Sequence, residues 1–330
     1  MKIAIRVDSS VKIGTGHVMR CITLANSLRK NEAEVLFICK NHDGNMNQFI
    51  IGNGFNVEQL NTPPQNIVKN RREKDNYKSM LGTSEVEDAK NTLEKIRYFK
   101  PDWVIVDHYS LGIKWEQYIK TYTNKIFVID DIANRRHDCD VLLDQNLYEN
   151  MHIRYDNLVP EGCKVLLGPK YALLRSEFIY HRKDIKIVNE DINSVFIFFG
   201  GTDQFNLTET TVRSLMVKKL SHLTFNVVIG KDNPNKVSIQ NLSSLHKNIN
   251  LIIQTNEIGS IMANSDIAIG SGGSAIWEMC CLGLPSFIIS FADNQLESVR
   301  HLSKKNIIEY HCHIYALKPA IIAQSFYKFI

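Results

Sequence analysis

Apolar and polar positions along this chain keep two rhythms in turn. Short apolar runs of strand length are followed by stretches whose apolar residues recur every three or four positions, the spacing of a helix with one buried face. A strand over 2–7 stops at Asp8, a polar loop follows, and a helix over 17–30 sets Val18, Cys21, Ile22, Ala25 and Leu28 on one side. Strands over 34–39 and 56–60 flank a helix over 45–51, and the polar stretch 62–83 with Pro63 and Pro64 reads as a long loop. Ser84 followed by Glu87 fits a capping box opening a helix to about residue 99. Strands over 101–107, 125–129 and 141–143 and a helix over 113–122 complete this series. After a weakly patterned connection over 178–193, a second series begins with a strand at 194–199 and continues to a helix ending at 304. Alternating strand and helix predicts parallel, doubly wound sheets. The reading is therefore α/β with two Rossmann-like domains, 1–180 and 190–330, and a ligand cleft between them.

Composition adds little to that picture but closes several alternatives. With 330 residues, 44% hydrophobic and 22% charged, the chain matches an ordinary soluble protein long enough for two cores. A net charge of +4 with no long basic run argues against nucleic acid as a partner. There is no apolar run of membrane-spanning length and no signal-peptide pattern, so a cytoplasmic protein is expected, without membrane insertion. Seven cysteines without a C-x-x-C pair suggest reduced, core-filling thiols.

Polar residues recur where the strands end: Asp8, Asp107-His108-Tyr109, Asp130-Asp131 and Asp144-Gln145-Asn146. In open α/β sheets ligands bind outside the carboxyl ends of strands, although an Asp there also serves as a helix cap. The loop holding Gly14 and Gly16 restarts as a helix at His17, where backbone N–H groups favour an anion. His17 can be a catalytic imidazole or only a cap. Met19 stands where a dinucleotide fingerprint needs a third small residue, and the Walker pattern is absent. The strand-end carboxylates have no metal-ligand spacing, so neither metal nor cofactor is expected.

The second informative stretch runs from Gly270 to Pro285. Its glycines let a diphosphate approach the backbone, with Ser271 and Ser274 as hydroxyl donors ahead of a helix. Glu278, one turn beyond Ser274, is placed to accept both hydroxyls of a ribose. Gly200-Gly201 supplies a second close-approach point.

Taken together, the motifs resemble one family. The C-terminal pattern is similar to nucleotide-sugar enzymes of the GT-B architecture, including the MurG type. The run I-G-T-G-H-x-x-R-C from Ile13 to Cys21, with Asp107-His108-Tyr109, Ile129-Asp130-Asp131, Leu143 to Asn146, Gly200 to Asp203, Gly272 to Glu278 and Ala292 to Gln295, resembles the PseG family. Those enzymes are UDP-2,4-diacetamido-2,4,6-trideoxy-β-L-altropyranose hydrolases of pseudaminic acid biosynthesis. The resemblance extends in order to about residue 304, and 307–330 matches no motif. It implies a GT-B fold and a metal-independent hydrolase that cleaves the anomeric C–O bond, with His17 as the base that activates water. It also implies that Tyr109 and Asn294 line the sugar cleft and that Glu278 binds ribose. Gly16, Gly200, Gly201, Gly272, Gly273, Ser274 and Gln295 complete the expected substrate and UDP contacts. Arg20, one turn after His17, is expected from its spacing to face the diphosphate. A monomer is expected. The alternatives are a GT-B glycosyltransferase using a UDP-sugar donor, or a non-catalytic nucleotide-sugar-binding module.

Overall fold

The computed structural model describes residues 1–61, 80–184 and 191–330. Most of the predicted loop over 62–83 and part of the connection over 178–193 lie outside the described residues. The chain divides into two compact units, Met1–Leu173 and Leu174–Ile330.

The first unit is built on a seven-stranded sheet. In chain order its strands are β1 (Lys2–Val7), β2 (Glu34–Lys40), β3 (Asn56–Leu60), β4 (Trp103–Asp107), β5 (Lys125–Ile129), β6 (Val141–Asp144) and β7 (Lys164–Leu167). Their spatial order is β3-β2-β1-β4-β5-β6-β7, and every pairing is parallel. The helices are α1 (Gly16–Lys30), α2 (Asn47–Gly52), α3 (Glu85–Ile96) and α4 (Ile113–Ile119). Along β1, Ile3, Ile5 and Val7 face one core with Val18, Cys21 and Ala25 of α1. Ala4 faces the other core, with Val104, Val106 and Trp115. The Ser84 half of the predicted capping box is present, Ser84 Oγ accepting from the Glu87 N–H at 3.1 Å. The helix read over 113–122 stops at Ile119.

The second unit carries six strands: β8 (Ser194–Phe198), β9 (Thr224–Ile229), β10 (Ile249–Ile253), β11 (Ile267–Gly270), β12 (Ser286–Ser290) and β13 (Glu309–His313), in the order β10-β9-β8-β11-β12-β13. Its helices are α5 (Ser176–His181), α6 (Leu207–Leu215), α7 (Lys236–Leu245), α8 (Ile258–Ala263), α9 (Ala275–Cys281), α10 (Asp293–Lys304) and α11 (Pro319–Phe329). Its first helix, α5, begins before residue 180: Phe178 is fully buried, and the helix packs on α8 and α9. Residues 307–330, which matched no motif, supply β13 and α11. Ile322 and Phe326 are wholly buried in the core formed by β8, β9, β11 and β12.

In each sheet the strand order reverses direction at one place, between β1 and β4 and between β8 and β11. Register aligns Val7 with Asp107 in the first sheet and Phe198 with Gly270 in the second. The loops leaving these strands part at that point and open a crevice, which is where such sheets bind ligands. The loops after Val7, Asp107, Phe198 and Gly270 leave the sheets at these two places, while Asp130-Asp131, Asp144 to Asn146 and Ala292 to Gln295 lie at or just after the ends of strands β5, β6 and β12.

Candidate functional site

At the switch point of the first unit, α1 follows the glycine loop. Gly14 adopts φ +82°, and its N–H donates to the Ser10 carbonyl at 2.9 Å. The Ser10 hydroxyl accepts the Lys12 and Ile13 N–H groups at 3.1 and 2.9 Å. Gly16 opens the helix, exposed, and His17 follows with 9% exposure. A small pocket is lined by Asp8, Ile13, His17, Met80, Asp107, His108, Tyr109 and Ser110.

Asp107, at the end of β4, is the anchor. His17 Nδ1 lies 2.6 Å from its Oδ1, and Arg20 donates Nη2 to that oxygen and Nε to Oδ2, each at 2.6 Å. Burial pushes the Asp107 carboxyl up, but Arg20 and His17 outweigh it and hold the group well below the usual carboxylate range. Arg20 Nη2 also stands 3.2 Å from His17 Nδ1. The shorter carboxylate contact decides the tautomer: Nδ1–H donates to Asp107, and Nε2 keeps its lone pair. Arg20 completes the set by donating Nη1 to Asp131 Oδ2 at 3.0 Å. Asp131 Oδ1 accepts the Tyr109 hydroxyl at 2.6 Å, and the Tyr109 ring meets the His17 ring edge-on at 4.5 Å. The expectation that Arg20 faces a diphosphate is therefore corrected. Its guanidinium is buried and committed to two carboxylates, where it fixes the surroundings of His17.

His108 lies in the same pocket but is poorly suited to act as a base. Its Nδ1 accepts the Ser110 N–H at 3.0 Å, Nε2 lies 3.2 Å from Asp8 Oδ2, and burial lowers its pKa. Behind it lies a buried charge network that the sequence reading missed. Arg6 reaches Asp8 at 2.6 Å and Asp88 at 2.8 Å, and Lys40 Nζ reaches Asp88 at 2.8 Å. Arg6, Asp8, Asp88 and Lys40 are each 1% exposed or less.

The other strand-end acids divide by role. Asp203 caps α6, accepting from the Leu207 and Thr208 N–H groups at 2.9 and 2.8 Å. Asp130 pairs with Arg135 at 2.8 Å and accepts the Ala133 N–H. Asp144 accepts from the Asn146 N–H and the Tyr155 hydroxyl, each at 3.0 Å, and lies 3.3 Å from Arg154 Nε. Burial and the nearby Asp131 charge nonetheless push the Asp144 carboxyl up to about 7. Among the described residues, no three His, Cys, Asp or Glu side chains are grouped to hold a metal ion. No described helix is long and apolar enough to cross a membrane.

At the switch point of the second unit, Gly200 takes φ +94°. A Cβ on Gly230 would stand 2.3 Å from the Gly201 carbonyl, so the Gly201 backbone can approach the end of β9 only because residue 230 is glycine. A Cβ on Gly272 would meet Val299 Cγ1 at 2.4 Å, which seats the loop after β11 against α10. Gln295 lies against Gly272 and Gly273 and accepts the Phe291 N–H at 3.2 Å. Asn294 sits half-buried in the first turn of α10. Ser274 is exposed just before α9, and Glu278 is half-buried within it. Arg175, which belongs to none of the motifs above, donates Nε and Nη2 to Glu278 Oε1 at 3.0 and 2.9 Å. The lone signal was an arginine two residues before an acid.

Two parallel, doubly wound units with glycine-bearing switch points form a GT-B fold. Residues 195–325 match the glycosyltransferase family 28 C-terminal domain. The fold is similar to that of Acinetobacter baumannii MurG, with TM-score 0.60 and 13% identity over 99% of this chain and 90% of that one. It is also similar to the spinosyn rhamnosyltransferase SpnG, with TM-score 0.64 and 13% identity over 100% and 91%. The resemblance read from the motifs extends over nearly the whole chain. It is 29% identical over 312 residues to the UDP-2,4-diacetamido-2,4,6-trideoxy-β-L-altropyranose hydrolase of Campylobacter jejuni, covering 94% of this chain and 99% of that enzyme.

Proposed function

We propose that this protein is a hydrolase that removes UDP from UDP-2,4-diacetamido-2,4,6-trideoxy-β-L-altropyranose in pseudaminic acid biosynthesis, acting in the cytoplasm and without a metal. The observation that carries the reading is the 2.6 Å contact between His17 Nδ1 and Asp107, which leaves Nε2 as a proton acceptor in the pocket beside Tyr109. Water attacks the anomeric carbon as Nε2 takes its proton. The new C–O bond forms as the bond from that carbon to the diphosphate oxygen breaks, and the electron pair leaves with UDP. Asp107, negative and held in place by Arg20, stabilises the imidazolium that results. UDP is assigned to the second unit, with Gly200, Gly201, Gly272, Gly273 and Ser274 near the diphosphate and Glu278 on the ribose. The expected helix N-termini favour the departing negative charge.

The test is incubation with a panel of UDP-sugars in ¹⁸O-water with no acceptor present. The expected result is UDP release from the diacetamido sugar, with label at the sugar's anomeric carbon and none in UDP. Label in UDP would place the cleavage at phosphorus. Release that requires an added acceptor would favour a glycosyltransferase, the reading to which the family 28 domain also lends support.

A further inference from the structure

We infer that Arg175 is a positioning residue for nucleotide binding: it fixes Glu278 so that one carboxylate oxygen is committed to the protein and the other is presented to the ribose diol. The inference rests on the assignment of Glu278 to the ribose. Both N–H bonds from Arg175 converge on Oε1, at 3.0 and 2.9 Å. The third guanidinium nitrogen is braced separately, since Arg175 Nη1 pairs with Glu177 Oε1 at 2.8 Å. Glu177 Oε2 in turn accepts the Gly259 N–H of α8 at 3.1 Å. The guanidinium carbon lies 4.8 Å from the centroid of the Phe178 ring, and Phe178 is fully buried. The arginine fork is thus held by a carboxylate, a backbone-anchored acid and an aromatic ring.

An ionised carboxylate accepts hydrogen bonds and donates none, so its natural partners in a nucleotide are the two ribose hydroxyls. Burial works against that use by pushing the Glu278 carboxyl up, while Arg175 opposes the shift and favours the charged form. Lysine cannot replace the fork, because an ammonium is a point charge without paired, coplanar donors.

The experiment is calorimetric titration of the full chain with UDP and with 2′-deoxy-UDP. Hydrogen bonds to charged groups carry about 1.5–3 kcal/mol, so wild type is expected to prefer UDP by about 10–100-fold. Arg175→Gln is expected to bring that preference to within about threefold, leaving affinity for 2′-deoxy-UDP nearly unchanged, and Glu177→Gln to lower it in part. Arg175→Lys is expected to restore charge without restoring the preference. Glu278→Gln separates the two claims. If it abolishes the preference and Arg175→Gln does not, the positioning role is overturned while the ribose assignment stands. If it leaves the preference intact, the ribose assignment fails and the positioning role fails with it. Equal weakening toward both nucleotides in Arg175→Gln and Arg175→Lys would assign Arg175 to another part of the ligand and overturn the proposal. Circular dichroism establishes that each variant is folded, and Glu177→Gln provides a test that leaves the arginine in place.

Discussion

Asp107 Oδ1 and His17 Nδ1 stand 2.6 Å apart, although 90 residues separate them in the chain. An asparagine at 107 fills nearly the same space but can offer its amide N–H to Nδ1 and select the wrong tautomer. Asp107→Asn is expected to lower kcat by about 10²–10⁴-fold, with a much smaller change in KM. Steady-state kinetics decide this, and a variant with near-normal kcat would mean that the contact only supports packing.

His17→Gln retains a hydrogen-bonding side chain but cannot take a proton. The expected outcome is again a loss of about 10²–10⁴-fold in kcat with KM nearly preserved. A raised KM with surviving kcat would make His17 a binding residue.

Glu278→Ala is expected to weaken UDP binding by about 1–3 kcal/mol, the range for a lost charged hydrogen-bond partner. Unchanged affinity in a folded variant, measured by calorimetry, would remove Glu278 from the ribose.

Asp144 gives stability a pH dependence of its own. Its carboxyl is pushed up to about 7 in the folded protein, against roughly 3.9 when unfolded. Between those values the folded state binds more protons, so this residue's contribution falls as pH rises from about 4 to about 7. The slope approaches about 1.4 kcal/mol per unit where only the folded state is protonated. Urea denaturation across pH 5–8 should show this decline in wild type and lose it in Asp144→Asn. Identical profiles would contradict the assignment.

Activity is expected to survive excess EDTA, because Asp130, Asp131 and Asp144 spend oxygens on Arg135, Arg20, Arg154 and neighbouring tyrosines. Loss of turnover restored by magnesium or manganese would identify a required ion.

Local pattern revealed most of the framework. The buried face of α1 was visible because Val18, Cys21, Ile22 and Ala25 share helical spacing. The switch-point loops were visible because glycine and acid follow apolar runs. Partnerships were not visible. Nothing near Asp107 says that it belongs to His17 rather than to a helix cap, because parallel crossovers bring the two together. Arg6 belongs to no motif, yet alternation along β1 points it into a core. Strand β13, E-Y-H-C-H, carries only two apolar residues and three histidine or glutamate side chains, and it is held as a strand by pairing with β12 through a shifted register. Arg175 falls short of any motif, and its meaning depends on an acid 103 positions away.

The buried network of Arg6, Asp8, Asp88 and Lys40 bears on how such a protein can change over generations. Removing one member strands an opposite charge in a dry interior, at a cost of about 3–5 kcal/mol. That is a large part of the roughly 5–15 kcal/mol by which domains stay folded. An apolar replacement of the whole set would cost far less, but every single-step route toward it passes through a chain near unfolding. These four positions, drawn from three segments of the sequence, are therefore expected to tolerate joint replacement better than any single one.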